Sequence, residues 1–178
     1  MTTTEAAESS HWGKIDGVSI DFPMVVDEMH QLTLTYTVDL AAARALLPGD
    51  AFEVLEVAPG SALLIVALVD YVENPWGDYN EINLGLLAHP VDQPERIGAF
   101  VWRMPVNQEF TKRAGNEVLG LPKTVEDLTY EYGDDAVTVH MAQDGVGVMT
   151  VRFPRHLSID PATVTEAVTF FFNDTATT

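Results

Sequence analysis

Residues 31–38 alternate: Leu32, Leu34, Tyr36 and Val38 are apolar and the residues between them polar, the period of a half-buried β-strand. Asp39 then stands as an N-cap ahead of residues 40–47, a short helical pattern that Pro48-Gly49 stops. Strand-like runs follow at residues 52–57, 62–72, 79–88 and 97–104, separated by Pro59-Gly60, by residues 74–78 and by His89-Pro90. Residues 109–113 predict a second helical turn. Three more alternating strands, at residues 126–132, 136–142 and 146–153, are joined by Gly133-Asp134-Asp135 and by Gln143-Asp144-Gly145, both suited to hairpin turns. The longest apolar run, residues 62–69, is less than half of the roughly 20 residues a membrane-crossing helix needs, so it reads as a strand buried on both faces. Eight or so short strands with two small helices predict a mainly β, mainly antiparallel fold that closes or packs on itself to hide its edges.

Composition adds bounds to this pattern. The 178 residues suffice for one domain, and a hydrophobic fraction of 47% against 20% charged residues supports a folded core. Nine Lys+Arg against 27 Asp+Glu give a net charge of −18, which excludes a basic face for nucleic acid or anionic membrane. The absence of cysteine removes disulfides, thiolate zinc sites and a cysteine nucleophile together. Residues 1–12 read as a disordered tail with neither the cationic start nor the apolar run of a signal peptide, so the expected location is cytoplasmic.

One domain is expected over residues 13–170. The end of the chain, Phe170-Phe171-Phe172 and then Asn173-Asp174-Thr175-Ala176-Thr177-Thr178, follows neither period. The last six residues back-translate to AATGATACGGCGACCACC, which resembles the start of a common sequencing-library adapter. Residues 171–178 are therefore expected to be non-native and the barrel domain incomplete; an ordinary apolar C-terminus with a polar tail is the alternative.

Five histidines, His11, His30, His89, His140 and His156, are scattered without metal-ligand spacing, so no metal and no cofactor is expected. Phosphate-cradling loops and nucleophile elbows are also missing. What remains is a scarce cation: of three lysines, Lys123 follows Gly120-Leu121-Pro122 among apolar neighbours. Pro122 gives the turn a fixed direction. A lysine so placed loses hydration, which favours the free amine that can attack a carbonyl. Its other reading is a snorkelling surface cation beside Glu126 and Asp127, the commoner case for a bare tetrapeptide. Glu81, near the start of an apolar strand, either points inward as a proton-transfer carboxylate or stays a solvated strand-end acid.

Gly77-x-Tyr79-x-Glu81, then Ala114-Gly115-Asn116-Glu117 leading to Gly120-Leu121-Pro122-Lys123, resembles the acetoacetate decarboxylase-like family over about residues 25–153. The resemblance implies a cone-shaped antiparallel β-barrel with a few short helices, assembled into a homo-oligomer. It also implies that Lys123 is the Schiff-base lysine and Glu81 the pocket carboxylate, acting on a small oxo acid or ketone. The substrate-side positions are then Tyr79, Met29, Val66, Thr124, Glu117 and Arg103. Several depart from the family pattern. Thr124 replaces a second lysine, Met29 an arginine, Val66 a buried glutamate, and Asn116 the arginine of A-G-R-E, leaving Arg103 as a candidate replacement cation. The expected chemistry is decarboxylation or related aldolase or dehydratase reactions; the alternative is a barrel that binds a small apolar or keto ligand without turnover.

Overall fold

The structure, a computed structural model, describes residues 9–155 and 169–170. It is mainly β. A hairpin, β1 (Ser10–Ile15) and β2 (Val18–Phe22), comes first, followed by β3 (Glu28–Asp39), α1 (Leu40–Arg44), β4 (Phe52–Val54), β5 (Ser61–Glu73), β6 (Tyr79–Pro90) and β7 (Gly98–Val106). Helix α2 (Glu109–Arg113) runs on into a π-helical turn, Ala114–Leu119, before β8 (Lys123–Val125), β9 (Asp127–Tyr132), β10 (Ala136–Gln143), β11 (Val146–Pro154) and β12 (Thr169–Phe170).

Most sequence-predicted elements are present within a few residues. Asp39 caps α1, its carboxylate accepting from the Ala42 N–H at 2.8 Å, and β10 turns into β11 through Asp144 and Gly145, both at positive φ, as a two-residue hairpin of this hand requires. The hairpin β1–β2 was not in the pattern. It turns through Asp16-Gly17, also both at positive φ, and begins at Ser10, inside the stretch read as a disordered tail. A register irregularity between His11 and Gly13 breaks the alternation that would have marked the strand. Residues 1–8 and 171–178, on which the rest of the tail and the non-native end fall, lie outside the described residues.

The strands form three sheets. The largest has seven strands in the path β12-β7-β6-β5-β3, with β4 paired to β6 and β8 to β7. Its pairings are mixed: β3–β5, β5–β6, β6–β7 and β4–β6 are antiparallel, whereas β7–β8 and β7–β12 are parallel. Among the described residues no sheet closes on itself, so the expected antiparallel cone barrel is met only as a mainly β fold of open, packed sheets. The parallel β7–β8 pair arises because the chain leaves β7, makes the α2 and π-helical excursion, and returns alongside in the same direction.

The core lies between the seven-stranded sheet and β9–β10–β11. Val66, Leu68 and Ile82 from the first meet Leu128, Val139 and Met141 from the second, all buried. Alternation then decides what faces the other way. With Ile82 toward this core, its neighbour Glu81 and the residue two before it, Tyr79, project from the opposite face. At that end of the sheet Ile15 and Ile20 of the hairpin pack with Ala114, Phe110, Val118 and Trp76. No helix among the described residues is long and apolar enough to cross a membrane.

Candidate functional site

Lys123 and Glu81 meet. Lys123 Nζ donates to Glu81 Oε2 at 2.6 Å, and the two side chains are only 4% and 5% exposed. Register brings them together: Glu81 sits opposite Val106 on β7, and Met104, two residues back on the same face, sits opposite Lys123 on β8. Nζ also donates to the buried hydroxyl of Thr111, from α2, at 3.1 Å, and lies 5.3 Å from the centre of the Tyr79 ring. The second carboxylate oxygen of Glu81 accepts from Asn83 Nδ2 at 3.0 Å. An unpaired charge would be strongly disfavoured at this depth, and the arrangement supplies each with an opposite charge and at least one further polar contact.

The lysine is also fixed from behind. Asn116 clamps its main chain: Oδ1 accepts from the Lys123 N–H and Nδ2 donates to the Lys123 carbonyl, each at 3.0 Å. The wide π-helical turn that presents Asn116 is closed by Gly120 at φ 73° and by the Leu121 N–H donating to the Gly115 carbonyl at 2.9 Å. Gly115 lies against the lysine stem so closely that a Cβ there would stand 2.6 Å from Lys123 Cδ and 2.9 Å from Cε. Gln108 ties this unit to the approach to β6, its side-chain amide donating to the carbonyls of Trp76 and Asp78 at 3.1 and 3.3 Å while its oxygen caps α2 at the Thr111 N–H.

Two phenols complete the setting. Tyr71 and Tyr79, opposite each other on β5 and β6, stack with ring centroids 4.4 Å apart. Burial first, and then the negative charge of Glu81, push both hydroxyls above the usual tyrosine range, so they stay protonated donors at any physiological pH. The chemical capacity is that of a positioned primary amine with an adjacent proton acceptor and neutral hydroxyls around it.

The remaining sequence-predicted residues are spread over three places. Met29, on the edge strand β3, lies opposite Tyr71 and is half exposed. Val66 is in the inter-sheet core, on the face opposite Glu81. Arg103 is on that same side: it pairs with Leu84 in register and donates to Glu126 at 3.3 Å and Gln143 at 3.0 Å. Thr124 joins it there, its hydroxyl bonded to Glu126 at 3.1 Å. Glu117 is exposed and paired with Arg113 at 2.9 Å. So the structure groups Lys123, Glu81 and Tyr79, and sets Val66, Arg103 and Thr124 on the far side of the sheet.

Thr111, Asn83 and Tyr71 were missed. A threonine inside a helical turn reads as an ordinary surface position until tertiary packing buries it, and Asn83 would have been found by extending the inward face of Glu81 by one period of two.

A cavity of about 770 Å³ lies elsewhere, between β3 and the β9–β11 sheet, with Leu32, Leu68, Tyr130, Tyr132, Phe153 and Arg155 among its walls. Among the described residues no cluster of three His, Asp or Glu side chains is arranged to hold a metal ion.

A family model described as acetoacetate decarboxylase matches residues 8–175. No curated protein matches the chain. Among solved structures it is similar to an acetoacetate decarboxylase from Legionella pneumophila subsp. pneumophila str. Philadelphia 1, with 16% identity and TM-score 0.64 over 77% of this chain and 52% of that one. It is also similar to an acetoacetate decarboxylase-like enzyme from Sphingomonas wittichii RW1, with 19% identity and TM-score 0.57 over 78% and 60% of the two chains. A third is the enduracididine biosynthesis enzyme MppR, complexed with the condensation product of pyruvate and imidazole 4-carboxaldehyde, at 19% identity and TM-score 0.56 over 76% and 57%. The aligned part spans about half the length of the first of these structures.

Proposed function

The chain belongs to the acetoacetate decarboxylase family, and from that premise we propose that it is a Schiff-base-forming lyase acting on a small oxo acid or ketone through Lys123. The observation that carries this reading is the buried 2.6 Å contact between Lys123 Nζ and Glu81. Glu81 takes a proton from Nζ, and the freed lone pair attacks the substrate carbonyl carbon. The resulting carbinolamine loses its oxygen as water, leaving a protonated imine whose nitrogen draws electrons from the adjacent carbon. For a 3-oxo acid, the bond to the carboxylate then breaks, carbon dioxide leaves, and its electron pair forms an enamine. Protonation at carbon and hydrolysis return the amine and release the ketone. The same imine serves aldol cleavage or dehydration, with Glu81 moving the proton. Homo-oligomeric assembly and barrel closure belong to the same reading.

Incubation with acetoacetate or pyruvate followed by borohydride reduction tests it. The expected result is a stable secondary amine on Lys123, located by peptide mass and lost in Lys123→Ala. No adduct at Lys123 across a panel of oxo compounds overturns it.

A second reading, retention of a small keto ligand without turnover, draws support from Thr124, which puts no second ammonium beside Lys123. Ligand binding that survives Lys123→Ala would select it.

A further inference from the structure

The side-chain oxygen of Asn83 is buried and has no hydrogen-bond partner among the described residues. Native interiors seldom leave a buried acceptor unpaired without a purpose. The orientation of the amide is fixed by its other end, because Nδ2 donates to Glu81 Oε1 at 3.0 Å. Reversing the group would set oxygen against carboxylate oxygen. Asn83 is therefore held by the same carboxylate that holds Lys123 Nζ, one oxygen each, with its own oxygen turned away from that carboxylate. On the same face Ala67 lies directly opposite on β5 and Gly85 two residues further along β6. Neither has a side chain able to donate to it.

The charges nearby argue in the same direction. Arg103, on the strand next to Lys123, is turned to Glu126 and Gln143, and Arg113 in α2 is held by Asp16 and Glu117. Neither guanidinium is turned to grip a carboxylate beside Lys123. Tyr71 and Tyr79 are neutral.

We propose that Asn83 Oδ1 is a substrate-recognition acceptor, selecting carbonyl compounds that carry a hydroxyl or N–H donor close to the carbonyl over plain ketones and oxo acids. This rests on the imine chemistry assigned to Lys123 and names the substrate class for that site. A donor-bearing substrate completes the orphaned acceptor while its carbonyl meets Nζ, and a plain ketone leaves the acceptor unpaired.

The test compares hydroxyacetone with acetone and pyruvate on the 178-residue chain. Borohydride trapping at Lys123 is measured for each and divided by trapping on N-acetyl-lysine, which removes intrinsic electrophilicity. The corrected preference for hydroxyacetone over acetone is expected to be about tenfold or more, and to fall to near unity in both Asn83→Leu and Asn83→Ser. Saturation-transfer NMR reads the same ratio without an imine. Trapping of nothing at Lys123, with hydroxyacetone still preferred by NMR, fails the lyase reading and keeps the acceptor. Equal engagement of hydroxyacetone and acetone, or a preference unchanged in both variants, overturns the proposal.

Discussion

Asn116 grips the main chain of Lys123 on both sides, donating to its carbonyl and accepting from its N–H at 3.0 Å each. The site is thus built backward from the backbone: the amide sets where β8 begins, and the side chain reaches Glu81 from there. Asn116→Ala leaves these two half-buried groups without their side-chain partner and is expected to cost about 1–3 kcal/mol in urea unfolding. It is also expected to lower borohydride trapping at Lys123, whereas Asn116→Asp, which keeps one acceptor, retains more of both.

Gly115→Ala tests the packing on the lysine stem. A Cβ 2.6 Å from Lys123 Cδ would be tolerable against a free side chain, but this one is held at Nζ by Glu81 and Thr111 and at its backbone by Asn116. The expected result is a loss of about 1–3 kcal/mol together with a larger loss of trapping than in a Gly133→Ala control.

Breaking the buried pair separates stability from chemistry. Lys123→Met leaves Glu81 charged and buried, at an expected cost of about 3–5 kcal/mol, and Glu81→Leu does the same to the lysine. In the double variant the penalty shrinks below that of either single change. Unfolding midpoints for the four proteins check this; additive losses would contradict it.

Stability is expected to fall as pH rises above about 10. Burial pushes the hydroxyls of Tyr71, Tyr79 and Tyr130 above the usual range, helped by the charge of Glu81 for the first two and of Asp70 for the third. Unfolded tyrosines lose their protons near pH 10 while these keep theirs, so the unfolded state binds fewer protons and gains on the native one. Each fully protected phenol contributes a loss of about 1.4 kcal/mol at pH 11. Urea unfolding at pH 8 and pH 11, with phenolate absorbance read alongside, measures both quantities.

Arg103→Ala and Thr124→Ala are expected to leave trapping at Lys123 within about twofold, since both side chains are turned to Glu126 on the far face, away from Lys123 Nζ. A collapse of trapping in Arg103→Ala would return that arginine to the site.

The strands and their turns were legible because their signals are local: alternation along β3, β9 and β10, Asp39 at a helix start, Asp144-Gly145 in a hairpin. The motif residues Tyr79, Glu81 and Lys123 were legible as a set for the same reason. Pairing was not. Which side of the sheet Val66, Arg103 and Thr124 take depends on how β5 and β7 register against β6 and on the parallel return of β8, none of which leaves a mark on periodicity. The hairpin at Ser10 was hidden by its own bulge, and Thr111 by the packing of a turn only five residues long.

The lysine burial gives the protein an internal standard. Lys14 is exposed and Lys112 partly so, whereas Lys123 is sealed, and its contact with Glu81 spans 42 positions of the chain. An amine-acylating mass tag therefore reports on long-range assembly within a single molecule. Tagging of Lys123 relative to Lys14 counts the molecules in which β6, β7 and β8 have come apart, with no substrate needed.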